Sequence, residues 1–212
     1  MPGLTISSVS PQNARRWETP RKLISFLEER YQTKVVLDVC ATHDNRKAEN
    51  YISEEENCFN VSWKSKMPKT EDGGSAFMNP PYSNFENPCS KNCEKRTCER
   101  RGYHIDYYLP GIGDFVHRAA EECRLGRVPV IGLITANTGT YWFRDYVLRR
   151  AYRIDFVTGR IPFEMDGVPM NNSSIESAVA LWVPGFNKSS EGPLVDSFNW
   201  SDVETYIRTR VR

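Results

Sequence analysis

Apolar residues along the chain alternate between helical spacing and short continuous runs, and this pattern predicts alternating helices and strands. The first helix is predicted over residues 20–30, where four large residues recur at helical spacing: Leu23, Ile24, Leu27 and Tyr31. Thr19 is a favourable N-cap for this helix, and Pro20 suits the first helical position. The start of the helix is therefore placed at the Thr19-Pro20 pair.

Three more helices follow from the same periodicity. One extends from about Asp114 to Gly126, which is a suitable C′ residue, and another covers 141–150. The last is a short terminal helix that opens at Ser201, because Ser201 and Glu204 have the spacing of a capping box.

Short apolar runs between these helices predict buried strands. The runs are 34–39, 75–78, 128–136, 153–158 and 177–183. Strands that alternate with helices favour an α/β fold with a mainly parallel, doubly wound sheet. Residues 42–74 are largely polar and lack a clear period, and residues 1–16 are predicted to be a loose arm.

Composition limits the domain count and the compartment. With 212 residues, of which 39% are hydrophobic, residues 1–212 are predicted to form a single domain. The net charge is only +1, so a nucleic-acid footprint must come from local clusters of Lys and Arg. Residues 1–16 lack the apolar core of a signal peptide and no run is long enough to cross a bilayer, which predicts a cytosolic protein with no membrane partner.

The strand at 75–78 ends in Asn79-Pro80-Pro81-Tyr82, and this tetrapeptide is the chain's strongest candidate for chemistry. Proline cannot donate to a sheet ladder, so the strand stops there in a rigid loop. Asn79 contributes a side-chain oxygen, and carbonyls outnumber N–H donors, so the loop can accept two hydrogen bonds from one amine. Tyr82 adds a ring on which a planar base can stack. The alternative is a proline-stiffened turn without a function.

Asp38 ends the preceding strand, and in open α/β sheets ligands bind at the carboxyl ends of strands. Asp38 and Asn79 are therefore predicted to face one crevice, where Asp38 binds an amine or the polar end of a cofactor. The alternative is a capping or ion-pairing role at the strand end. The acidic run 54–56 is typical of a solvated face, although one of its members can also hold a ribose hydroxyl.

Three of the six cysteines are clustered with a histidine, in the order Cys89, Cys93, Cys98 and His104. Three thiolates and one imidazole form a closed set typical of structural zinc, which a small insertion without its own core needs. Residues 84–112 are therefore predicted to be a zinc-stabilised insertion. The alternative is a group of reduced surface cysteines beside a solvated histidine. The other three cysteines are scattered and are predicted to be small packed residues.

Basic residues surround the clustered cysteines, and their local excess favours contact with phosphates. They are Lys91, Lys95, Arg96, Arg100 and Arg101. We interpret the insertion as a DNA target-recognition element; the alternative is a charged, soluble loop. A second basic group, with five arginines between Arg144 and Arg160, is predicted to lie partly on the DNA side.

Five segments, taken together and in order, resemble the phage-type DNA N-6-adenine methyltransferase family, a Dam-like family that uses S-adenosylmethionine. The segments are Trp17-Glu18-Thr19-Pro20, Leu37-Asp38-Val39-Cys40-Ala41-Thr42, Asn79-Pro80-Pro81-Tyr82-Ser83, Ala136-Asn137-Thr138-Gly139-Thr140-Tyr141-Trp142-Phe143 and Gly159-Arg160-Ile161-Pro162-Phe163. The matches follow the family's order from Trp17 to about Pro184 and so cover most of the chain. Ordered matches of this kind are more specific than the tetrapeptide alone, which also occurs in methyltransferases that act on RNA or on protein glutamine.

This resemblance implies a Rossmann-like class I methyltransferase fold and a catalytic loop formed by Asn79, Pro80, Pro81 and Tyr82. The implied cofactor pocket contains Trp17, Thr19, Pro20, Asp38, Ala41 and Asn79. Glu56, placed by its distance from Trp63, is predicted to bind the ribose. A flipped adenine in double-stranded DNA would stack on Tyr82, and its amine would donate to the Asn79 side chain and the Pro80 carbonyl.

Other functions stay open at the level of the sequence. A related enzyme can methylate RNA or protein glutamine through the same loop. A non-catalytic, zinc-containing nucleic-acid-binding module is the second alternative, favoured by the absence of a glycine-rich turn after Asp38. The sequence does not specify the recognition site, the oligomeric state or a partnership with a restriction nuclease.

Overall fold

The computed structural model describes residues 17–69, 73–90, 92–165, 167–170, 175–186 and 192–210. Within these residues, the protein is a mixed α/β fold around a seven-stranded, largely parallel sheet. The arm predicted over 1–16 and the basic residue Lys91 lie outside the described residues.

The strands of the described chain are short, and the central ones are fully buried. In chain order they are β1 (Val35–Asp38), β2 (Asn50–Tyr51), β3 (Ser75–Met78), β4 (Val130–Thr135), β5 (Arg153–Thr158), β6 (Glu164–Met165), β7 (Val168–Pro169), β8 (Ser177–Trp182) and β9 (Leu194–Asn199). Strands β6 and β7 form a separate hairpin. The five strands predicted from apolar runs are all present, with small shifts at their ends.

The large sheet has the order β2-β1-β3-β4-β8-β5-β9. Strand β8 is antiparallel to β4 and β5, whereas all the other neighbours are parallel. The prediction of a mainly parallel α/β sheet is thus confirmed. Because β1 and β3 are parallel neighbours, their carboxyl ends, at Asp38 and Met78, open on the same edge of the sheet.

Helices cover both faces of this sheet. They are α1 (Arg21–Tyr31), α2 (Trp63–Lys66), α3 (Arg96–Arg101), α4 (Ile112–Arg124), a π-helix (Phe143–Leu148) and α5 (Trp200–Arg210). Helix α1 packs its buried apolar face with Phe77, Ile131 and Phe198 on one side. Helix α4 and the π-helix enclose the second cluster around Met78 and Trp182 on the other side.

The helix predicted over 141–150 is present, and residues 143–148 of it form a π-helix, in which the backbone carbonyl of Tyr146 accepts a hydrogen bond from the Trp182 indole at 2.8 Å. Two predictions about helix starts were wrong in detail. The terminal helix begins at Trp200, because Asn199 and Asp202 exchange the capping hydrogen bonds that had been assigned to Ser201 and Glu204.

Thr19 does not cap helix α1. The helix begins at Arg21 with Pro20 as its N-cap, and no side chain donates to or accepts from the first turn at that position. The hydroxyl of Thr19 is instead engaged with Asn79.

The segment 84–112 leaves the sheet after β3 and returns at the start of helix α4. Its two ends are joined by paired backbone hydrogen bonds between Glu86 and Leu109, both 2.9 Å, and by a bond from the Ile112 N–H to the Ser83 carbonyl. The two ends approach so closely at Gly111 that a side chain would not fit there: a Cβ would lie 2.2 Å from the backbone nitrogen of Phe85. The described helices include none long and apolar enough to span a bilayer.

Candidate active site

Segments distant in sequence meet at the carboxyl ends of β1, β3 and β4. Glu18 and Glu164 exchange two backbone hydrogen bonds of 2.8 and 2.9 Å, which joins the start of the described chain to β6. Trp17 stacks on Phe163, and Tyr82 meets the same ring edge-on at 6.4 Å. The crevice edge is therefore built by the same segments that carry the family resemblance.

Asn79 occupies this edge directly after strand β3, with its side-chain amide held in one orientation. Its Nδ2 donates to the Thr19 hydroxyl at 3.0 Å. Its Oδ1 is buried and has no hydrogen-bond partner. A buried acceptor without a partner is uncommon in folded proteins and calls for an explanation. The geometry leaves the Asn79 oxygen available to a donor that arrives from the crevice.

The two prolines and the tyrosine of the loop have different environments. Pro80 is buried and Pro81 is exposed. The hydroxyl of Tyr82 donates to the backbone carbonyl of Leu133 at 3.4 Å, and burial raises the pKa of Tyr82 well above its ordinary value. The ring is half-buried against Phe163. Tyr82 thus contacts strand β4 through its hydroxyl and, through its ring, Phe163, the residue directly before β6.

Asp38 is almost fully buried and binds its own loop. Its Oδ1 accepts from the Cys40 N–H at 3.2 Å and its Oδ2 from the Lys47 N–H at 2.9 Å. Burial raises the pKa of this carboxyl to about 6, although the two N–H donors act in the opposite direction. These contacts correspond to the capping alternative, and they shape the loop that follows β1. Ala41 in that loop is buried, and its N–H donates to the Ile52 carbonyl.

A partly buried ion pair connects this loop to the first described residues. Lys47 Nζ lies 3.5 Å from Glu18 Oε2, and the lysine side chain is only 6% exposed. Close by, the indole nitrogen of Trp17 is buried without a partner. Among the described residues, this edge of the sheet thus has two buried polar atoms without a hydrogen-bond partner, a donor on Trp17 and an acceptor on Asn79.

Glu56 is exposed in a turn that follows β2, the parallel neighbour of β1. Its carboxylate pairs with Lys66, which lowers its pKa. Glu56 therefore lies on the β2 side of the sheet edge, engaged with Lys66.

The clustered cysteines and His104 come together as the sequence predicts. One ligand atom from each of Cys89, Cys93, Cys98 and His104 lies within 4.8 Å of all the others. Cys98 Sγ is 3.4 Å from Cys89 Sγ and 3.6 Å from Cys93 Sγ. Tetrahedral zinc with Zn–S bonds of about 2.3 Å requires sulfur separations of about 3.8 Å, so the group fits this metal.

Two kinds of basic residue surround this group. Lys95, Arg96 and Arg100 are exposed. Arg101 is half-buried and is engaged internally, 3.3 Å from the Glu86 carboxylate and 3.5 Å from Cys98 Sγ. The exposed three extend into solvent, where the Lys95 ammonium also donates to the Asn87 carbonyl at 3.2 Å. Arg101 instead connects Cys98 to Glu86 at the base of the segment.

The sequence interpretation did not assign roles to Lys47 or Phe163. Lys47 lies in the polar stretch 42–74, where no periodic signal marks a buried residue. Phe163 was noted only as part of a matching segment, and its contacts with Trp17 and Tyr82 depend on the sheet order.

The five arginines between Arg144 and Arg160 are largely engaged in ion pairs: Arg144 and Arg149 pair with Asp145, Arg150 with Glu121, and Arg153 with Asp155.

Comparison with known proteins identifies the family. A sequence model described as "DNA N-6-adenine-methyltransferase (Dam)" matches residues 7–183. The DNA N-6-adenine-methyltransferase of Haemophilus phage HP1 (strain HP1c1) is 29% identical over 161 residues, which are 76% of this chain and 72% of that protein. The DNA N-6-adenine-methyltransferase of Escherichia phage T1 is 30% identical over 152 residues, 71% of this chain and 57% of the relative. No solved structure matches significantly. The resemblance carried by the five segments is confirmed: the chain belongs to the DNA N-6-adenine-methyltransferase (Dam) family.

Proposed function

We propose that this protein is a DNA adenine methyltransferase that transfers a methyl group from S-adenosylmethionine to the exocyclic amine of adenine in double-stranded DNA. The observation that carries the proposal is the buried, unpaired Oδ1 of Asn79 at the carboxyl end of β3. Family membership supports the reaction class. The fold that we propose is the class I methyltransferase fold, in which a largely parallel sheet places its binding loops at this edge.

The crevice fits a polar cofactor beside a base. It offers an unpaired N–H on Trp17 and an unpaired oxygen on Asn79, and the loop after Asp38 borders it. Bound there, S-adenosylmethionine supplies an electrophilic methyl group. The proposed cofactor-binding residues are Trp17, Thr19, Pro20, Asp38, Ala41, Glu56 and Asn79.

Asn79 acts on the nitrogen that is to be methylated. Adenine's amine is a poor nucleophile because its lone pair is delocalised into the ring. If the Asn79 Oδ1 and the Pro80 carbonyl each accept one amine hydrogen, they stabilise the pyramidal nitrogen and the positive charge that develops on it. In the proposed transfer, the methyl carbon–sulfur bond of the donor would break as the carbon–nitrogen bond forms, and the methylated amine would release one proton to solvent. No covalent intermediate on the enzyme is required.

Access to this loop requires an extruded base. An adenine inside the duplex cannot place its amine against a buried oxygen, so we propose base flipping, with the ring of Tyr82 as the supporting surface. Two further exposed rings lie in the segment just after the loop: Phe85 and Tyr108 stack on each other, with exposures of 57% and 45%. Exposed aromatic rings of this kind can contact unstacked bases.

We also propose that the segment 84–112 binds structural zinc through Cys89, Cys93, Cys98 and His104. The ligand spacing supports this assignment. In the described part of the segment the buried hydrophobic residues are Cys98, Ile105 and Ile112, and Ile112 already belongs to helix α4. A segment with so small a core gains most of its order from a metal. Lys91, Lys95, Arg96 and Arg100 would then contact DNA phosphates, with Arg101 as an internal support.

The test is transfer of a labelled methyl group from S-adenosylmethionine to unmethylated duplex DNA, followed by nucleoside analysis. We expect label in N-6-methyladenine and a loss of about 10²–10³ in turnover for Asn79→Ala, with cofactor affinity largely retained. Label in RNA or protein instead would assign a different substrate. Near-normal turnover of Asn79→Ala would overturn the catalytic role.

A further inference from the structure

The contact between Thr19 and Asn79 assigns a role that neither the helix-cap nor the cofactor-pocket interpretation of Thr19 contains. We infer that Thr19 is a positioning residue for methyl transfer: its hydroxyl anchors the Asn79 side chain through Nδ2, which holds the amide at the sheet edge with Oδ1 left for the target amine. The inference rests on the proposed function and deepens it.

The hydroxyl is placed for this role and not for helix capping. Thr19 is 2% exposed, and its Oγ1 accepts the Asn79 Nδ2–H at 3.0 Å. Helix α1 begins two residues later without a side-chain cap. The first turn of the helix therefore does not use this oxygen, although Thr19 is the residue type that usually caps a helix.

The orientation of the amide decides whether Asn79 can function. An asparagine amide has an acceptor at one end and two donors at the other. The target amine must donate its hydrogens, so an amide turned by 180° would present N–H groups to N–H groups. With Nδ2 committed to Thr19, the oxygen is the end that remains unpaired.

Thr19 is itself held in place from both sides. Glu18 is joined to Glu164 by two backbone hydrogen bonds, and the Pro20 carbonyl accepts from the Leu23 N–H at 3.0 Å. A β-branched residue has few side-chain rotamers, so the hydroxyl has little freedom to turn away. Helix α1 and strand β6 therefore position Thr19, and Thr19 positions the Asn79 amide, although both elements lie outside the catalytic loop.

Two substitutions separate the hydroxyl from the shape of the side chain. Thr19→Val keeps the branched shape but removes the acceptor for Nδ2, whereas Thr19→Ser keeps the hydroxyl and removes one methyl group. A matched control is Thr33→Val. Thr33 is a partly buried threonine whose hydroxyl is 2.9 Å from that of Ser75. This pair lies at the amino ends of strands β1 and β3, whereas Asn79 lies at the carboxyl end of β3.

The experiment measures kcat for methyl transfer to duplex DNA at saturating S-adenosylmethionine, with the calorimetric Kd for the cofactor and the melting temperature of each variant. For Thr19→Val we expect a fall in kcat of about 10- to 100-fold, the order expected when a reacting group is misplaced, with the cofactor Kd little changed. Thr19→Ser restores most of kcat, and Thr33→Val matches the wild type.

Specific results would overturn the inference. They are an unchanged kcat for Thr19→Val, a defect confined to the cofactor Kd, or a Thr19→Ser variant as impaired as Thr19→Val. If Thr19→Val does not fold, Thr19→Ala replaces it in the same comparison with Thr19→Ser. A wild-type protein that transfers no methyl group would overturn the proposed function, whereas an active wild type with an equally active Thr19→Val would overturn this inference alone.

Discussion

Trp17 stacks on Phe163 with ring centroids 5.9 Å apart, although the two residues lie near opposite ends of the matched part of the sequence. Phe163 is 1% exposed and also meets the ring of Tyr82. One side chain therefore contacts both Trp17, at the start of the described chain, and Tyr82, the last residue of the Asn79–Tyr82 tetrapeptide.

Replacement of Phe163 by Ala should lower both stability and activity. Truncating a buried phenylalanine costs about 3–5 kcal/mol, since it removes apolar contacts and leaves a cavity. Denaturant unfolding measures the loss of stability, and turnover at a temperature where the variant is folded measures the loss of activity. Val168→Ala, at a position that is 62% exposed, serves as the control. Normal turnover of folded Phe163→Ala would show that Tyr82 does not depend on this contact.

The metal proposal predicts one zinc per chain in purified protein. Cys93→Ser should abolish stoichiometric zinc and weaken DNA binding while cofactor binding is retained, because the backbone bonds that join the described part of segment 84–112 to the rest of the chain lie at its base, away from Cys93. Elemental analysis and fluorescence anisotropy with labelled duplex DNA check the two effects. Cys123→Ala, which alters a buried cysteine outside this group, should keep the metal. Wild-type protein without zinc would refute the assignment.

The exposed and the internal arginines of helix α3 should behave differently. Arg96→Ala and Arg100→Ala should each weaken DNA binding at all sequences and reduce the slope of log K against log salt by about one. Arg101→Ala should instead reduce zinc retention, because Arg101 contacts Cys98 and Glu86. Titrations at several salt concentrations distinguish the two effects. Arg208→Ala, exposed on helix α5, is the control, and an equal change in its salt slope would contradict a localised footprint.

Asp38 predicts a specific pH dependence of stability. Burial raises the pKa of its carboxyl to about 6 from an ordinary value of 3.8. Because the folded chain holds this proton more tightly than the unfolded chain, the contribution of Asp38 to stability is full below about pH 4 and is lost as the pH rises through about 6. Relative to Asp38→Asn, the wild type should lose stability over this range in denaturant unfolding. A constant difference between the two would contradict the raised pKa.

Strands and helices with a regular pattern of apolar residues were predicted well, because the burial of those residues largely determines where such elements form. Strand β3 and strand β5 have the predicted bounds, since each is a short apolar or alternating run between polar residues. Strand β9 was missed because only Phe198 within it is buried, so it gives no apolar run. Its place beside β5 is set by parallel backbone pairing from Arg153–Leu194 to Thr158–Asn199, next to which Asp196 contacts Arg30 and Arg153 at 2.8 Å each. Pairing between strands so far apart in the sequence leaves no local pattern.

The candidate site was predicted by residue type but not by contact. The sequence places Thr19 and Asn79 in one site by resemblance, yet their hydrogen bond requires the order of strands and the start of helix α1 to be known. The capping box illustrates the same limit. Both Ser201 with Glu204 and Asn199 with Asp202 have the required spacing, and the end of β9 selects the second pair. Local sequence patterns identify the residues that can form a cap or a site contact, and tertiary packing determines which of these contacts form.

The base of the segment 84–112 has a consequence for how such enzymes diversify. The Ile112 N–H lies 2.9 Å from the Ser83 carbonyl, so the chain leaves and re-enters the sheet region at one point. Closing a longer loop between two fixed ends costs little additional entropy, about 0.6 kcal/mol for each doubling in length. A segment of another length or composition can therefore be exchanged here without moving Asn79. If this segment contacts DNA as proposed, sequence preference can evolve, or be engineered by grafting, independently of the methyl-transfer chemistry.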